Sequence, residues 1–103
     1  MWVDSHCHIT ADEFAGDQAA VLDRASVAST QTLIAIGAGY GIDANARAVE
    51  LAARDARVFA TVGVHPHDAQ QLDDAGQTRL REWLAAPRVV AIGECGLDYW
   101  YEH

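Results

Sequence analysis

Four short segments are spaced along the chain as candidate strands: Val3 to His8, which follows a short apolar opening, and the apolar runs Thr32 to Gly37, Val58 to Val64 and Val89 to Ile92. Their length and β-branched content predict buried strands. Between them lie three stretches with helical periodicity. The first runs from about Asp17 to Ala28 and turns Ala20, Val21, Ala25 and Ala28 to one side. The second runs from Asp43, a candidate N-cap, to about Asp55, with Ala46, Val49, Leu51, Ala52 and Ala53 as its apolar side. The third runs from about Asp73 to Ala86, carries Leu80, Trp83 and Leu84, and is closed by Pro87. Strand and helix therefore alternate through the chain. Apolar strands separated by amphipathic helices predict right-handed βαβ crossovers and a parallel α/β sheet.

This rhythm gives the polar residues their meaning. His6 and His8, Gly37 and Gly39, His65 and His67, and Glu94 and Asp98 all fall at the C-terminal ends of predicted strands. That edge is where parallel α/β folds bind ligands. On a strand, side chains alternate, so Asp4, His6 and His8 are expected on one face and Ser5 and Cys7 on the other. Two imidazoles on one face can grip one metal ion. Glu94 ends an otherwise apolar strand and is expected on the face of Val90 and Ile92. A carboxylate there calls for a cation or a metal, since burying it unpaired is costly. Imidazole with carboxylate suits Zn²⁺, Mn²⁺ or Fe, and added oxygen ligands suit Mg²⁺. Asp4 either orients a histidine ring or is satisfied by backbone amides. His65 is assigned to a substrate phosphate or leaving group, and His67 to capping the Pro66 turn. Asp98 is a candidate for ordering the loop after the fourth strand. Trp2, Trp83 and Trp100 are read as packing residues.

Composition narrows the field. The chain has 103 residues, half of them hydrophobic, enough for one domain with a core. Seven cationic side chains, all arginine, oppose fifteen acidic ones, for a net charge of −8. That argues against a basic surface tracking a phosphate backbone. It leaves room for a phosphate at one spot, where bound divalent cations would reverse the local sign. No apolar stretch approaches the roughly 20 residues of a membrane span, and no basic leader precedes the first strand. The expectation is a soluble, cytoplasmic protein. Cys7 and Cys95 lie opposite in phase to the proposed ligands and three strand spacings apart, about 14 Å, beyond the roughly 7 Å reach of a disulfide. Both are expected as free thiols facing the helices.

Three segments taken together resemble one family. Asp4-Ser5-His6-Cys7-His8, Gly63-Val64-His65-Pro66-His67 and Gly93-Glu94-Cys95-Gly96-Leu97-Asp98-Tyr99 are similar, in order and spacing, to the TatD-type deoxyribonucleases of the metal-dependent hydrolase superfamily. The resemblance implies a (β/α)8 TIM barrel, two divalent ions (Mg, Mn or Zn) and hydrolysis of phosphodiester bonds in DNA. It implies that His6 and His8 hold one ion, that Glu94 bridges both, and that His65 sits by the scissile phosphate. Such a barrel needs about 250 residues. Residues 1–103 are therefore expected to be the N-terminal half of the barrel, a partial domain ending after strand four, with further ligands (two histidines and an aspartate) encoded beyond it. His103 is too close to strand four to fill either missing histidine position. Both outer strands would be bare edges, to be covered by the remaining half or by self-association.

Three functions follow as expectations. The first is a DNase acting on ends or single strands. The second is a Glu-bridged metal hydrolase of amide, lactone or phosphate monoester substrates. The chain has no lysine, so relatives that bridge their metals through a modified Lys do not fit. The third is an inert or binding-only fragment.

Overall fold

Each of the four segments does form a strand: β1 (Trp2–Cys7), β2 (Thr30–Ile36), β3 (Val58–Val62) and β4 (Val89–Ile92). The helices are α1 (Gln18–Val27), α2 (Asn45–Arg54) and α3 (Asp74–Leu84). The computed structural model describes residues 1–100; the reading made of His103 lies outside them. The strands form one parallel sheet in the order β1-β2-β3-β4, so β1 and β4 are its two edges. Sequential parallel strands connected by helices are the arrangement of half a (β/α)8 barrel.

The core lies on the helix side of the sheet. Leu33 and Ala35 of β2 and Val58 and Ala60 of β3 pack against Leu22 of α1 and Ala48, Leu51 and Ala52 of α2, with Ile9 closing the end. Alanines at the α2 contact let the helix sit close to the strands. Arg57 fastens the N-terminal side: its guanidinium reaches Asp55 at 2.8 Å and Asp23 of α1 at 2.9 Å.

Several local expectations are corrected. The buried residue of α1 is Leu22, while Ala20 and Ala28 are exposed. Helix α2 buries Asn45 and Ala48 besides Leu51 and Ala52, and leaves Ala53 exposed. Asp43 does not cap α2; it lies in a preceding 3-10 turn and pairs with Arg79 of α3 at 2.6 Å. Asp73 does cap α3, accepting a hydrogen bond from Gly76 N at 2.7 Å. Trp2 and Trp100 are exposed, whereas Trp83 is half-buried beneath the Arg79 guanidinium. Strand β3 stops at Val62, and Pro66 opens a 3-10 turn, Pro66–Gln71, as a residue with no N–H to donate can.

Two departures bear on the rim. Between Asp4 and Cys7 three steps of β1 oppose two of β2, since Asp4 pairs with Leu33 and Cys7 with Ala35. Such a bulge breaks strict alternation. Asp4, Cys7 and His8 line one cavity with Phe14, Val21 and Ala25 beside α1. The second concerns Glu94. Alternation ends with β4 at Ile92, which lines an apolar cavity with Leu72, Leu80 and Cys95. Glu94 does not share that face; its carboxylate turns to the histidines.

Candidate metal centre

The C-terminal ends of β1, β3 and β4 deliver His6, His8, His65 and Glu94 to one place. Glu94 lies two residues past β4. Its Oε1 stands 3.0 Å from His6 Nε2 and 3.7 Å from His8 Nε2. Its Oε2 faces His65 Nε2 at 3.7 Å. One carboxylate thus presents one oxygen to the His-x-His pair and the other to the β3 rim.

The donor set suits a cation. Ligand atoms of His6, His8 and Glu94 lie within 4.8 Å of one another. Tetrahedral ligands about 2.05 Å from a zinc ion stand roughly 3.3 Å apart. The two Glu94 Oε1 distances, 3.0 and 3.7 Å, bracket that spacing. The far nitrogen of the His8 ring, Nδ1, lies beside Gly39, away from Glu94. It is buried and has no hydrogen-bond partner among the described residues. A buried polar atom left unbonded costs about 1–3 kcal/mol, and native folds keep few of them.

Surrounding residues hold the ligands in place. Asp4 Oδ1 accepts a hydrogen bond from the His6 backbone amide at 3.1 Å. Asp4 is therefore the strand-end carboxylate satisfied by backbone, not the partner of a histidine ring. The His8 ring meets Tyr40 edge to face, centroids 5.7 Å apart. Tyr40 sits between Gly39 and Gly41, both at positive φ (113° and 87°), a backbone shape that favours glycine. The loop is tied down where Gly41 N donates to Asp68 and Ile42 N donates to Gln71.

His65 Nδ1 accepts from the His67 backbone N–H at 3.1 Å and so caps the Pro66 turn. The capping expected of His67 is done by His65, which still keeps Nε2 toward Glu94. The His67 ring instead donates from Nε2 to Asp98 Oδ2 at 2.7 Å. Asp98 Oδ1 accepts from Trp100 N at 2.8 Å, so Asp98 does order the loop after β4.

Cys7 and Cys95 are both free thiols. Cys7 packs against the core and its thiol donates to Ile34 O, and burial pushes its pKa above the ordinary thiol value. Cys95 lines the cavity beside α3 but is exposed.

One residue escaped the sequence reading. Asn45 is fully buried; its amide donates to Gly63 O at 2.8 Å and Ile42 O at 2.9 Å and accepts from Gly63 N at 3.0 Å. Gly63 in turn lies so close to the Glu94 carbonyl that a Cβ would overlap it. Asn45 thus braces the backbone on which Glu94 rests. A signal was present: a polar residue in helical phase with Ala48 and Ala52.

A parallel α/β sheet with His-x-His at the end of its first strand and a shared carboxylate after its fourth defines the metal-dependent hydrolase class of barrel. The chain belongs to the TatD related DNase family, whose model matches residues 3–103. It is 40% identical over 96 residues to a protein of Enterobacter lignolyticus named 3'-5' ssDNA/RNA exonuclease TatD, covering 93% of this chain and 36% of that protein. It is 30% identical over 102 residues to the Bacillus subtilis protein named uncharacterized metal-dependent hydrolase YabD, covering 99% and 39%. The crystal structure of YJJV, a TatD homolog from Escherichia coli K12, superposes with a TM-score of 0.86 at 31% identity, over 98% of this chain and 39% of that one. The chain therefore spans little more than a third of the length of the relatives it matches. Among the described residues no helix is long and apolar enough to cross a membrane.

Proposed function

We propose that residues 1–103 supply the N-terminal half of the catalytic centre of a metal-dependent phosphodiesterase that trims single-stranded DNA from its ends. The observation that carries this reading is the Glu94 carboxylate shared between the His6–His8 pair and His65. The names of the relatives from Enterobacter lignolyticus and Bacillus subtilis point the same way.

His6, His8 and Oε1 of Glu94 would hold one divalent ion, and Oε2 would help hold a second on the His65 side. Such ions lower the pKa of a bound water and neutralise charge on a phosphate. The chain's own contribution is positional. Glu94 presents one carboxylate oxygen to the His6–His8 pair and the other to His65. With Nδ1 of His65 used as an acceptor, the proton of its neutral ring resides on Nε2. That N–H is placed to donate to a phosphate oxygen beside Glu94. A net charge of −8 supplies no general attraction for nucleic acid, so binding rests on the metal-neutralised spot and favours ends over long duplex.

The remaining ligands and the cover for the β1 and β4 edges are assigned to a protein of the relatives' length; residues 1–103 by themselves are assigned a partial site without turnover. Should they be isolated, pairing of two copies through the bare edges is the expected route to cover them. The free thiols of Cys7 and Cys95 agree with a cytoplasmic location.

The test uses the protein at the relatives' length, 3'- and 5'-labelled single-stranded DNA, and Mg²⁺ or Mn²⁺. Glu94→Gln is expected to lower kcat/KM by more than about 100-fold, the scale of losing one charge-stabilising group. Turnover of lactones, amides or phosphate monoesters with no cleavage of DNA would refute the reading.

A further inference from the structure

His67 and Asp98 stand outside the cluster that faces Glu94, yet they are joined by a 2.7 Å hydrogen bond between two different rim loops. We propose that they form a positioning pair. It clamps the loop after β4 to the turn after β3 and so sets the orientation of the His65 ring and the seat of Glu94. The inference rests on the reading of the Glu94 cluster given above.

Three contacts carry it. Both oxygens of Asp98 are engaged, Oδ2 by the His67 ring and Oδ1 by Trp100 N at 2.8 Å. The carboxylate is therefore fixed on its own loop while it holds the other. His67, anchored through its ring, aims its backbone N–H at His65 Nδ1, 3.1 Å away. The two rings also meet edge to face, with centroids 4.4 Å apart and planes at 73°. The His65 ring is thereby pinned on one nitrogen and on one face, leaving Nε2 directed at Glu94 Oε2.

Glu94 is the second beneficiary. On one side its backbone lies against Gly63, which Asn45 holds. Four residues later the same loop is gripped at Asp98. The segment between contains Gly96 at φ 121°, a flexible residue in open space. The Asp98 grip ties the far end of this segment to the turn after β3. Partners that orient ligands in this indirect way typically influence metal affinity by about 10- to 100-fold.

The test compares His67→Ala, Asp98→Ala, the double variant and His67→Gln, whose side-chain amide keeps a donor for Asp98 Oδ2 while Oδ1 stays on Trp100 N. The first readout needs no metal: ring 15N shifts of His65 at pH 8, where imidazoles are ordinarily neutral. The native protein is expected to show a single tautomer protonated on Nε2. Both alanine variants are expected to show averaged shifts, and His67→Gln to keep the native pattern. The second readout is Mn²⁺ affinity from the free-ion EPR signal. Each alanine substitution is expected to weaken it by about 10-fold or more, with no further loss in the double variant, because the two residues act as one unit. Unchanged His65 shifts in the alanine variants, or a mixed tautomer in the native protein, would overturn the clamp. If the alanine variants lose their circular-dichroism signal, His67→Gln decides: native shifts support the clamp and averaged shifts overturn it. Native protein that binds no Mn²⁺ but follows the tautomer pattern would sink the metal reading and leave the clamp standing.

Discussion

Replacing Asn45 by alanine tests whether one buried amide supports the site. Asn45 has no solvent exposure, and its amide satisfies both backbone groups of buried Gly63. Ile42 O keeps a second donor, the backbone N–H of Asn45, so it is not orphaned. The substitution therefore strands two buried backbone groups. Each unsatisfied buried group costs about 1–3 kcal/mol, and a small void adds to it, so a loss of about 3–4 kcal/mol is expected. For a domain of this size that corresponds to a fall in Tm of roughly 12–30 °C. Asn45→Asp is the sharper probe: the shape persists and Gly63 N keeps its acceptor, but a carboxylate then faces the carbonyls of Gly63 and Ile42. It is expected to destabilise at least as much as alanine at neutral pH. The assay is the urea midpoint followed by circular dichroism, paired with Mn²⁺ affinity. Because Gly63 packs on the Glu94 backbone, affinity is expected to fall in any variant that remains folded. A loss below about 1 kcal/mol in Asn45→Ala would refute the bracing argument.

The other predictions concern cysteines and charge. Iodoacetamide at pH 8 is expected to label exposed Cys95 well before Cys7, whose thiol is half-buried and has its pKa raised; equal rates by mass spectrometry would contradict the placement. The raised Cys7 pKa has a linked effect on folding. Its contribution is complete below the ordinary thiol value and is lost as pH rises through the folded one, so stability should decline above about pH 9, and Cys7→Ala should remove that part of the slope. Asp55 behaves in the opposite sense. Hydrogen bonding from Arg57 holds its carboxyl below the usual range, so its contribution is present above about pH 4 and is lost on acidification; Arg57→Gln should flatten that acid limb in urea titrations.

Much of this molecule follows from local pattern. The number, order and parallel pairing of the strands were legible because apolar runs alternate with helical ones and leave a chain few routes other than βαβ crossovers. His6, His8, His65 and Glu94 were legible because each ends a strand, and strand ends in such a sheet converge. The resemblance in three short segments pointed to the family that the comparison then identified. The finer geometry was not legible, for reasons that are physical. A one-residue register slip between Asp4 and Cys7 broke strict alternation along β1, and such a bulge depends on the neighbouring strand as well as on the strand's own residues. Glu94 parted from Ile92 because alternation holds only while the ladder lasts. The exchange of roles between His65 and His67 was decided by Asp98, some thirty residues further on, and Asn45 acquired its role from Gly63 on another element. The sequence by itself determined which residues reach the rim, since that follows from period and strand length. Only the tertiary structure decided which of them face one another, because that is set by hydrogen bonds between loops whose partners are distant in the chain.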